Sequence, residues 1–303
     1  MTIKRPGHGP IIYPELDASI GTNINGPSLI RVPSWLPDRL GTYYLYFGHH
    51  KGTYVRLAYA DRLEGPWTIY KPGTLQLKET PCHGHIASPD VHIDNANQRI
   101  IMYYHGPILD KATAAQTPLT QRYPMFGGQR TLVSSSEDGI HFKSDNEILG
   151  SSYWRAFTWN NVTYGLGMPG IFYRSRMSTV DFGEGPTLFT ERMRHAAVYL
   201  CHNTLYVFFT NAGDCPEHML VSHIHLTDDW QMWTASDPES VLFPEQDYEG
   251  GDLPLVPSKR GAVHHRARQL RDPGVFKDGD RLFLLYAIAG EHGIALAEIL
   301  WER

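Results

Sequence analysis

The sequence is short of cysteine, of charge and of long hydrophobic runs, and each shortage excludes a class of protein. Its three cysteines, Cys82, Cys201 and Cys215, are odd in number and far apart, which argues against a disulfide framework or a zinc ribbon. Free thiols are typical of a reducing compartment. No stretch is long and apolar enough for a signal peptide or a membrane span. We therefore expect a soluble, cytoplasmic protein that does not bind membranes.

Charge of either sign is sparse as well. Charged residues make up 19% of the chain, and the formal net charge is -5. The one basic cluster, "SKRGAVHHRARQLR" at positions 258–271, contains no long run of lysine and arginine. We therefore expect no nucleic-acid partner. Histidine, by contrast, is abundant, with 16 residues.

Helical patterns are also scarce, and short β-like runs bounded by turn residues take their place. Four runs look like copies of one element: "TYYLYFG", "RIIMYYHG", "TLYVFFTNAG" and "RLFLLYAIAG". A strand-like run precedes each copy and another follows it, as in "YVRLAYA" and "HMLVSHI". Outer segments such as "LEGPWTIY", "GIHFKS" and "DDWQMWTAS" come next, and a weaker fifth unit lies at 156–175.

Five such units predict an all-β chain folded as a five-bladed β-propeller, with about 60 residues for each four-stranded blade. We expect a single domain over residues 1–303, with insertions in blades two and four, one of them the loop Thr117–Gln129. The last unit lacks an outer strand, which residues near Ile11–Tyr13 would supply. A β-sandwich would not explain the repeated order of the units.

Propeller geometry brings the start of each first strand and the end of each second strand to one mouth of the axial channel. Polar and titratable residues recur at these positions, and we therefore expect a functional pocket at this mouth. Each residue also has a structural interpretation, such as Asp272 capping a turn before a strand. The residues are Asn25, His49, His85, Asp90, His105, Arg155, Arg194, His195, Asp214, Glu217, Arg271, Asp272 and Glu291.

Short motifs add a resemblance to this pattern. "NGPSLI", "SPDVHI" and "RDPGVF" begin inner strands, and "GPW" lies at the rim of blade one. With the blade order, these motifs resemble the five-bladed propeller glycosidases, the superfamily of glycoside hydrolase families 43, 32, 62, 68 and 117, over nearly the whole chain. The chain is also similar to bacterial sequences described as hypothetical or glycosidase-like. The resemblance implies a hydrolase of carbohydrate metabolism.

The chain departs from the family pattern at the general base. In family 43 the first inner strand begins with an Asp-Pro whose aspartate is the base, whereas Asn25, Gly26 and Pro27 stand here. "RDP" resembles the family 32 triplet whose aspartate holds substrate hydroxyls, but it lies in the fifth unit. Members of family 117 use a histidine as the acid, and this resemblance makes His195 a candidate for that role. "EGP" at Glu184 resembles a general-acid signature, yet "LEGPW" repeats it at the rim, which favours a turn.

Glycoside cleavage usually needs two carboxyl groups, one an acid and the other a base or nucleophile. The resemblance therefore implies a glycosidase that binds a short oligosaccharide or furanoside end in the axial pocket. Asp90 or Asp272 would act as the base, and Glu217 or His195 as the proton donor.

The other residues of the mouth would bind the substrate. Arg155, Arg194 and Arg271 would hold hydroxyls or a carboxylate, which points to an acidic sugar. Trp159 would stack on a sugar ring. The substrate-binding set is completed by Asn25, His49, His85, His105, Asp214 and Glu291.

Two alternatives to hydrolysis by carboxyl groups stay open. The sequence shows no cofactor motif, but His49, His85, His105 and His195 could together hold a divalent metal, which would suit a metal-assisted lyase or hydrolase acting on an acidic sugar. The missing base at Gly26 would instead suit a propeller that binds sugar without turning it over.

Overall fold

The structure is a computed structural model that describes residues 1–7 and 9–301, and it consists almost entirely of antiparallel strands. The strands form five separate four-stranded sheets. The first strand of one sheet contacts the first strand of the next, so these strands surround a central axis. The prediction of an all-β, five-bladed propeller is confirmed. The expected domain, residues 1–303, includes His8 and residues 302–303, which lie outside the described residues.

Each blade follows chain order from the axis to the rim, and the last blade is completed from the amino terminus. The amino-terminal strand is β1 (Thr2–Lys4). Blade one contains β2 (Asn25–Arg31), β3 (Tyr43–Gly48), β4 (Arg56–Ala60) and β5 (Thr68–Tyr70). Blade two contains β6 (Ala87–Asp94), β7 (Arg99–Pro107), β8 (Gln129–Ser136) and β9 (Lys143–Ser144). Blade three contains β10 (Arg155–Trp159), β11 (Val162–Gly167), β12 (Ile171–Met177) and β13 (Val180–Thr187). Blade four contains β14 (Met193–Cys201), β15 (Thr204–Asn211), β16 (Met219–His225) and β17 (Glu239–Leu242). Blade five contains β18 (Arg271–Asp278), β19 (Arg281–Ala287) and β20 (Ile294–Leu300), with β1 at its rim.

The strand that closes blade five differs from the expectation. The residue pairs are Thr2 with Leu300 and Lys4 with Glu298, so β1 supplies the outer strand. Ile11 and Ile12 are instead buried in the core cluster shared by blades one and five, where Ile12 forms one bridge to Ile294. Two adjacent buried side chains do not fit an edge strand, which has one face in solvent, and the prediction for Ile11–Tyr13 is therefore wrong.

Two outer segments also differ from the sequence interpretation. "DDWQMWTAS" contains a short 3-10 helix at Trp230–Met232, and the outer strand of blade four begins later, at Glu239. Glu184 lies within β13, not in a turn, and forms an ion pair with Arg122 at 2.5 Å on the rim of blade three. Its carboxylate is therefore far from the axis.

Insertions extend the mouth of the propeller at blades two and four, as predicted. The first joins β7 to β8 and contains two helices, α1 (Lys111–Gln116) and α2 (Pro118–Arg122). The second is the irregular segment 243–270, between β17 and β18. The remaining 3-10 helices are Pro14–Leu16, Ala18–Ile20, Leu77–Glu79, Pro124–Phe126 and Asp247–Glu249. No helix among the described residues is long and apolar enough to cross a membrane.

Trp154 anchors the core of blade three directly beneath the mouth. It is 1% exposed, and its ring lies 4.8 Å from that of Tyr173 and 5.1 Å from that of Phe182. The ring passes over Gly165 of β11, where a Cβ atom would lie 1.8 Å from Cζ2 of Trp154. Only glycine leaves room for the indole there, so the position of Trp154 depends on Gly165.

We predict that Gly165→Ala lowers the free energy of unfolding by about 1–3 kcal/mol, because the added methyl group overpacks a rigid aromatic core. The measurement is urea unfolding followed by tryptophan fluorescence. Gly183→Ala, in the same blade, is the matched control, since the atom nearest to its new Cβ would be Nη2 of the flexible Arg176 guanidinium, at 3.4 Å. Equal midpoints for the two variants would contradict this account of the core.

Candidate functional site

The inner strands begin with a repeated distortion that turns polar side chains towards the axis. Four of the five first strands lose their regular register at the mouth, between Asn25 and Ser28, Ala87 and Asp90, Met193 and Ala196, and Arg271 and Gly274. A bulge of this kind bends a strand and redirects its side chains. Three of these bulges contain a residue with positive φ before a proline: Gly26 at 59°, Ser88 at 50° and Asp272 at 48°.

A cavity of about 340 Å³ lies at this mouth. Both insertions help to line it, together with the ends of the inner strands. The lining residues are His50, Lys51, His85, Met125, Phe126, Gln129, Tyr153, Met168, Arg194, His195, Arg260 and Gly261. A larger cavity of about 440 Å³ is lined entirely by residues of the segment 253–269 and is not formed by the inner strands. The mouth cavity is therefore the candidate site.

His195 and Asp272 form a buried pair at the wall of this cavity. Nδ1 of His195 contacts Oδ1 of Asp272, and the aspartate side chain is 1% exposed. Burial, reinforced by the charges of Arg194 and Arg155, lowers the pKa of His195 although Asp272 opposes this shift. Burial alone would raise the pKa of Asp272, but His195, Arg194 and Arg271 hold it well below its usual range. The pair therefore consists of a neutral imidazole and an ionised carboxylate.

A second pair, His50 and Glu291, has the same arrangement. Nδ1 of His50 lies 2.7 Å from Oε2 of Glu291, whose side chain is 1% exposed. Asn23 donates to the same carboxylate oxygen at 2.7 Å, and Asn25 at 3.3 Å. Burial opposes the shift, but the hydrogen bond and charge of His50, with Arg271, lower the pKa of Glu291. Two imidazoles are thus each held at Nδ1 by a buried carboxylate and lie on one cavity.

Glu217 lies behind the wall of the cavity and does not line it. Its side chain is fully buried, 3.2 Å from Nε of Arg194 and 3.3 Å from Nε of Arg271. The hydroxyl of Thr210 donates to its Oε1 at 2.7 Å. A carboxylate that is enclosed by two guanidinium groups and does not reach the cavity cannot meet a ligand there, so this position does not suit the proton donor expected from the sequence.

Asp90 is also occupied by structural partners. Its Oδ2 accepts hydrogen bonds from Nε2 of His92 at 2.8 Å and from the amide of Ala156 at 2.7 Å. Burial opposes the shift, but His92 and Arg155 lower the pKa of Asp90. The buried guanidinium of Arg155 donates to the carbonyls of Pro89 and Pro273, which lie in two of the bulges. Both residues therefore join blades at the axis and do not face the cavity.

The aromatic ring predicted for Trp159 at the mouth is instead that of Tyr153, which lines the cavity. Trp159 ends β10 at the opposite face of the propeller, where it pairs with Val162 and donates to Asn203 at 3.0 Å. It cannot stack on a ligand at the mouth, and that prediction is wrong. The ring of Tyr153 lies 3.9 Å from that of His195 and 4.2 Å from that of His105. Tyr153 has a positive φ of 61°, a conformation that is strained for a tyrosine and is common at functional sites.

The remaining candidates differ in their access to the cavity. His85 lines it, and burial lowers the pKa of its imidazole. His105 is buried beneath Tyr153, where burial and then the neighbouring histidines lower its pKa well below the usual value. His49 faces away from the cavity, with Nδ1 2.8 Å from Nη2 of Arg56, and burial with the charge of Arg56 lowers its pKa to about 4. Asp214 forms an ion pair with Arg192 outside the lining.

Sequence reasoning assigned a binding role to His49 and none to its neighbour His50, and it missed Tyr153 and Arg260 as lining residues. His50 follows His49 directly, and the doubled histidine at a strand end was a signal, but the sequence does not show which ring turns inward. Arg260 belongs to the insertion 243–270. The repeated strand pattern does not extend into this segment, so the sequence gives no position for it. The four histidines proposed as metal ligands do not form a metal site, because no three His, Cys, Asp or Glu side chains in the described part of the chain could hold an ion together.

Solved structures share this fold at low sequence identity. A family 43 glycoside hydrolase from Xanthomonas citri matches with a TM-score of 0.58 and 11% identity, over 92% of this chain and 88% of that one. A family 43 β-xylosidase/α-arabinofuranosidase from a compost metagenome matches with a TM-score of 0.58 and 12% identity, over 93% and 92%. An exo-1,5-α-L-arabinanase from a bovine ruminal metagenome gives 0.57 and 9%, over 93% and 94%. The likeness shows the fold.

Sequence comparison identifies a relative of viral origin. No protein-family model matches the chain. The "Uncharacterized protein R118" of Acanthamoeba polyphaga mimivirus is 34% identical over 320 residues, which cover 93% of this chain and 85% of that protein. The expected similarity to bacterial glycosidase-like sequences stays a prediction. At this identity and coverage the chain belongs to the same protein family as the mimivirus protein R118.

Proposed function

We propose that the protein is a glycosidase that cleaves the terminal residue of a short oligosaccharide in the mouth cavity, using two histidines for proton transfer. The observation that carries the proposal is that His195 and His50 line one cavity, each held by a buried carboxylate. A fold shared with family 43 enzymes supports the choice of substrate class. The cavity lies near the lower end of the range of about 300–1,000 Å³ usual for small-ligand sites, which suits a substrate end.

His195 is assigned as the base. Its Nδ1 is taken by Asp272, so Nε2 is the nitrogen left to accept a proton from water, and its lowered pKa keeps the ring neutral at pH 7. The water oxygen would then attack the anomeric carbon as the bond to the leaving oxygen breaks. Asp272 fixes the ring orientation and stabilises the imidazolium that forms, as carboxylates do in other acid–base dyads.

His50 is assigned as the acid, which returns a proton to the leaving oxygen. Its side chain is 27% exposed, so it can meet solvent and substrate, and the buried carboxylate of Glu291 orients the ring through Nδ1. Tyr153 would then provide an apolar face for the sugar ring next to His195. In this arrangement no free carboxyl group needs to touch the substrate.

We predict that His195→Gln lowers kcat by about 10²- to 10⁴-fold, the usual contribution of a positioned acid or base. The measurement is steady-state hydrolysis of a panel of aryl glycosides, with thermal unfolding to confirm folding. His225→Gln is the matched control, because His225 is exposed at the opposite end of the same blade. If His195→Gln retained full activity on every substrate that the wild type cleaves, His195 could not be the base.

We also predict a shift in the pH profile of Asp272→Asn. In the wild type, kcat/KM rises with pH as His195 loses its proton, with a midpoint below 6.5 because the pKa of His195 is lowered. Asp272 raises that pKa, so its neutralisation moves the midpoint to still lower pH and reduces the plateau.

The control for this profile is Asp138→Asn, which changes an exposed His–Asp pair at 2.7 Å far from the axis. Its acid limb should match that of the wild type. A midpoint that moved to higher pH in Asp272→Asn would assign the limb to a different group and overturn the role of the dyad.

A further inference from the structure

The tip of the insertion between blades four and five is fixed by two buried arginines. Arg194 donates to the carbonyl of Lys259 at 3.0 Å and to that of Gly261 at 3.1 Å. Arg271 donates to the same two carbonyls, at 3.4 Å and 3.0 Å. We call the residues Lys259–Gly261 the anchored tip. Backbone on both sides of Arg260 is therefore held by charged groups that are themselves buried.

Arg260, at the centre of the anchored tip, points into the mouth cavity without an acidic partner. Its Nη2 donates to the carbonyls of Glu191 and Met193, and its Nη1 lies 3.3 Å from the sulfur of Met168. None of the ion pairs among residues 1–7 and 9–301 includes Arg260. The atoms that the guanidinium of Arg260 contacts directly are thus all neutral.

The other charged side chains that line the cavity are also positive. Lys51 and Arg194 also line the cavity, whereas no aspartate or glutamate does. The chain as a whole is acidic, with a formal net charge of -5. A positive cavity in an acidic protein attracts an anion, because a concave wall concentrates the local field.

We propose that Arg260 is a specificity-determining residue that binds an anionic group, a carboxylate or an ester phosphate or sulfate, on the terminal sugar. This inference rests on the proposed function in one respect, that the cavity receives a sugar. The N–H groups of the guanidinium fork that its carbonyl contacts leave free can donate charge-assisted hydrogen bonds to any of these anions, and a fixed backbone reduces the conformational entropy lost on binding. The anchored tip supplies that rigidity.

Binding is measured by titration calorimetry, which does not require turnover. The probes are D-glucuronate, D-galacturonate, glucose 6-phosphate and glucose 6-sulfate, with glucose and galactose as neutral counterparts. We expect tighter binding of at least one anionic sugar and a loss of about 10- to 150-fold in Arg260→Gln, the range for a hydrogen bond to a charged group. The affinity of Arg260→Lys should lie between those of the wild type and Arg260→Gln, because lysine keeps the charge and loses the guanidinium fork.

The matched control is Arg266→Gln, a second arginine of the same insertion whose guanidinium donates to the carbonyl of Asp247 outside the mouth cavity. It should bind like the wild type. Comparing the uronates with the phosphate and sulfate esters shows whether the anionic group is a carboxylate or an ester. Equal affinity for neutral sugars, no binding of any anionic probe, or unchanged affinity in a folded Arg260→Gln would overturn the inference. Arg260-dependent binding without hydrolysis would leave it standing and remove the glycosidase proposal instead.

Discussion

The buried carboxylate of Glu217 is the interaction on which the mouth of the propeller depends. It lies between Arg194, the second residue of the inner strand of blade four, and Arg271, the first residue of the inner strand of blade five. A buried charge without a partner costs several kcal/mol, and among the described residues Arg194 forms an ion pair with Glu217 alone, so the loss of Glu217 would expose Arg194 to that penalty. Because both arginines also bind the backbone of the segment 259–261, one carboxylate joins two blades to the insertion that completes the cavity.

The same arrangement of charge recurs throughout the site. Three carboxylates are buried behind the surface that a ligand would meet, those of Glu217, Glu291 and Asp272. Each binds a histidine or an arginine that lies closer to that surface. The cavity therefore presents imidazole and guanidinium groups, while the carboxylates orient them. This differs from a site with two facing carboxyl groups, the usual arrangement for glycoside cleavage. Sharing a fold with family 43 enzymes does not require sharing that chemistry.

The sequence was sufficient for the blades because a repeated strand order is a local signal, and the open end of each hairpin follows from that order. It placed Asp272, His195 and Glu291 at the mouth for the same reason. The sequence could not show which residues of the mouth line the cavity and which lie behind its wall. Glu217 and His195 both lie at the mouth, but only His195 lines the cavity. Arg260 and Gly261 reach the site through an irregular insertion, a path that depends on contacts with residues about 65 positions away. Trp159 was misplaced although it directly precedes the turn at Asn160 and Asn161, which the strand order itself puts at the face opposite the mouth.

The repeated bulge gives three blades an equivalent backbone position before a proline, and Asp272 occupies the one in blade five. Gly26, Ser88 and Asp272 occupy the same backbone position, before a proline and with positive φ, in three different blades. Glycine adopts this conformation without strain, and aspartate tolerates it better than most residues do. The propeller thus offers equivalent positions around its axis, and the chemistry of the mouth depends on which of them carries a functional side chain. Asn25 and Gly26 leave the blade-one position without a carboxylate, whereas Asp272 fills the equivalent one beside His195. Asp272 thus occupies, one blade away, the position equivalent to Gly26, since the inner strands of blades five and one are neighbours.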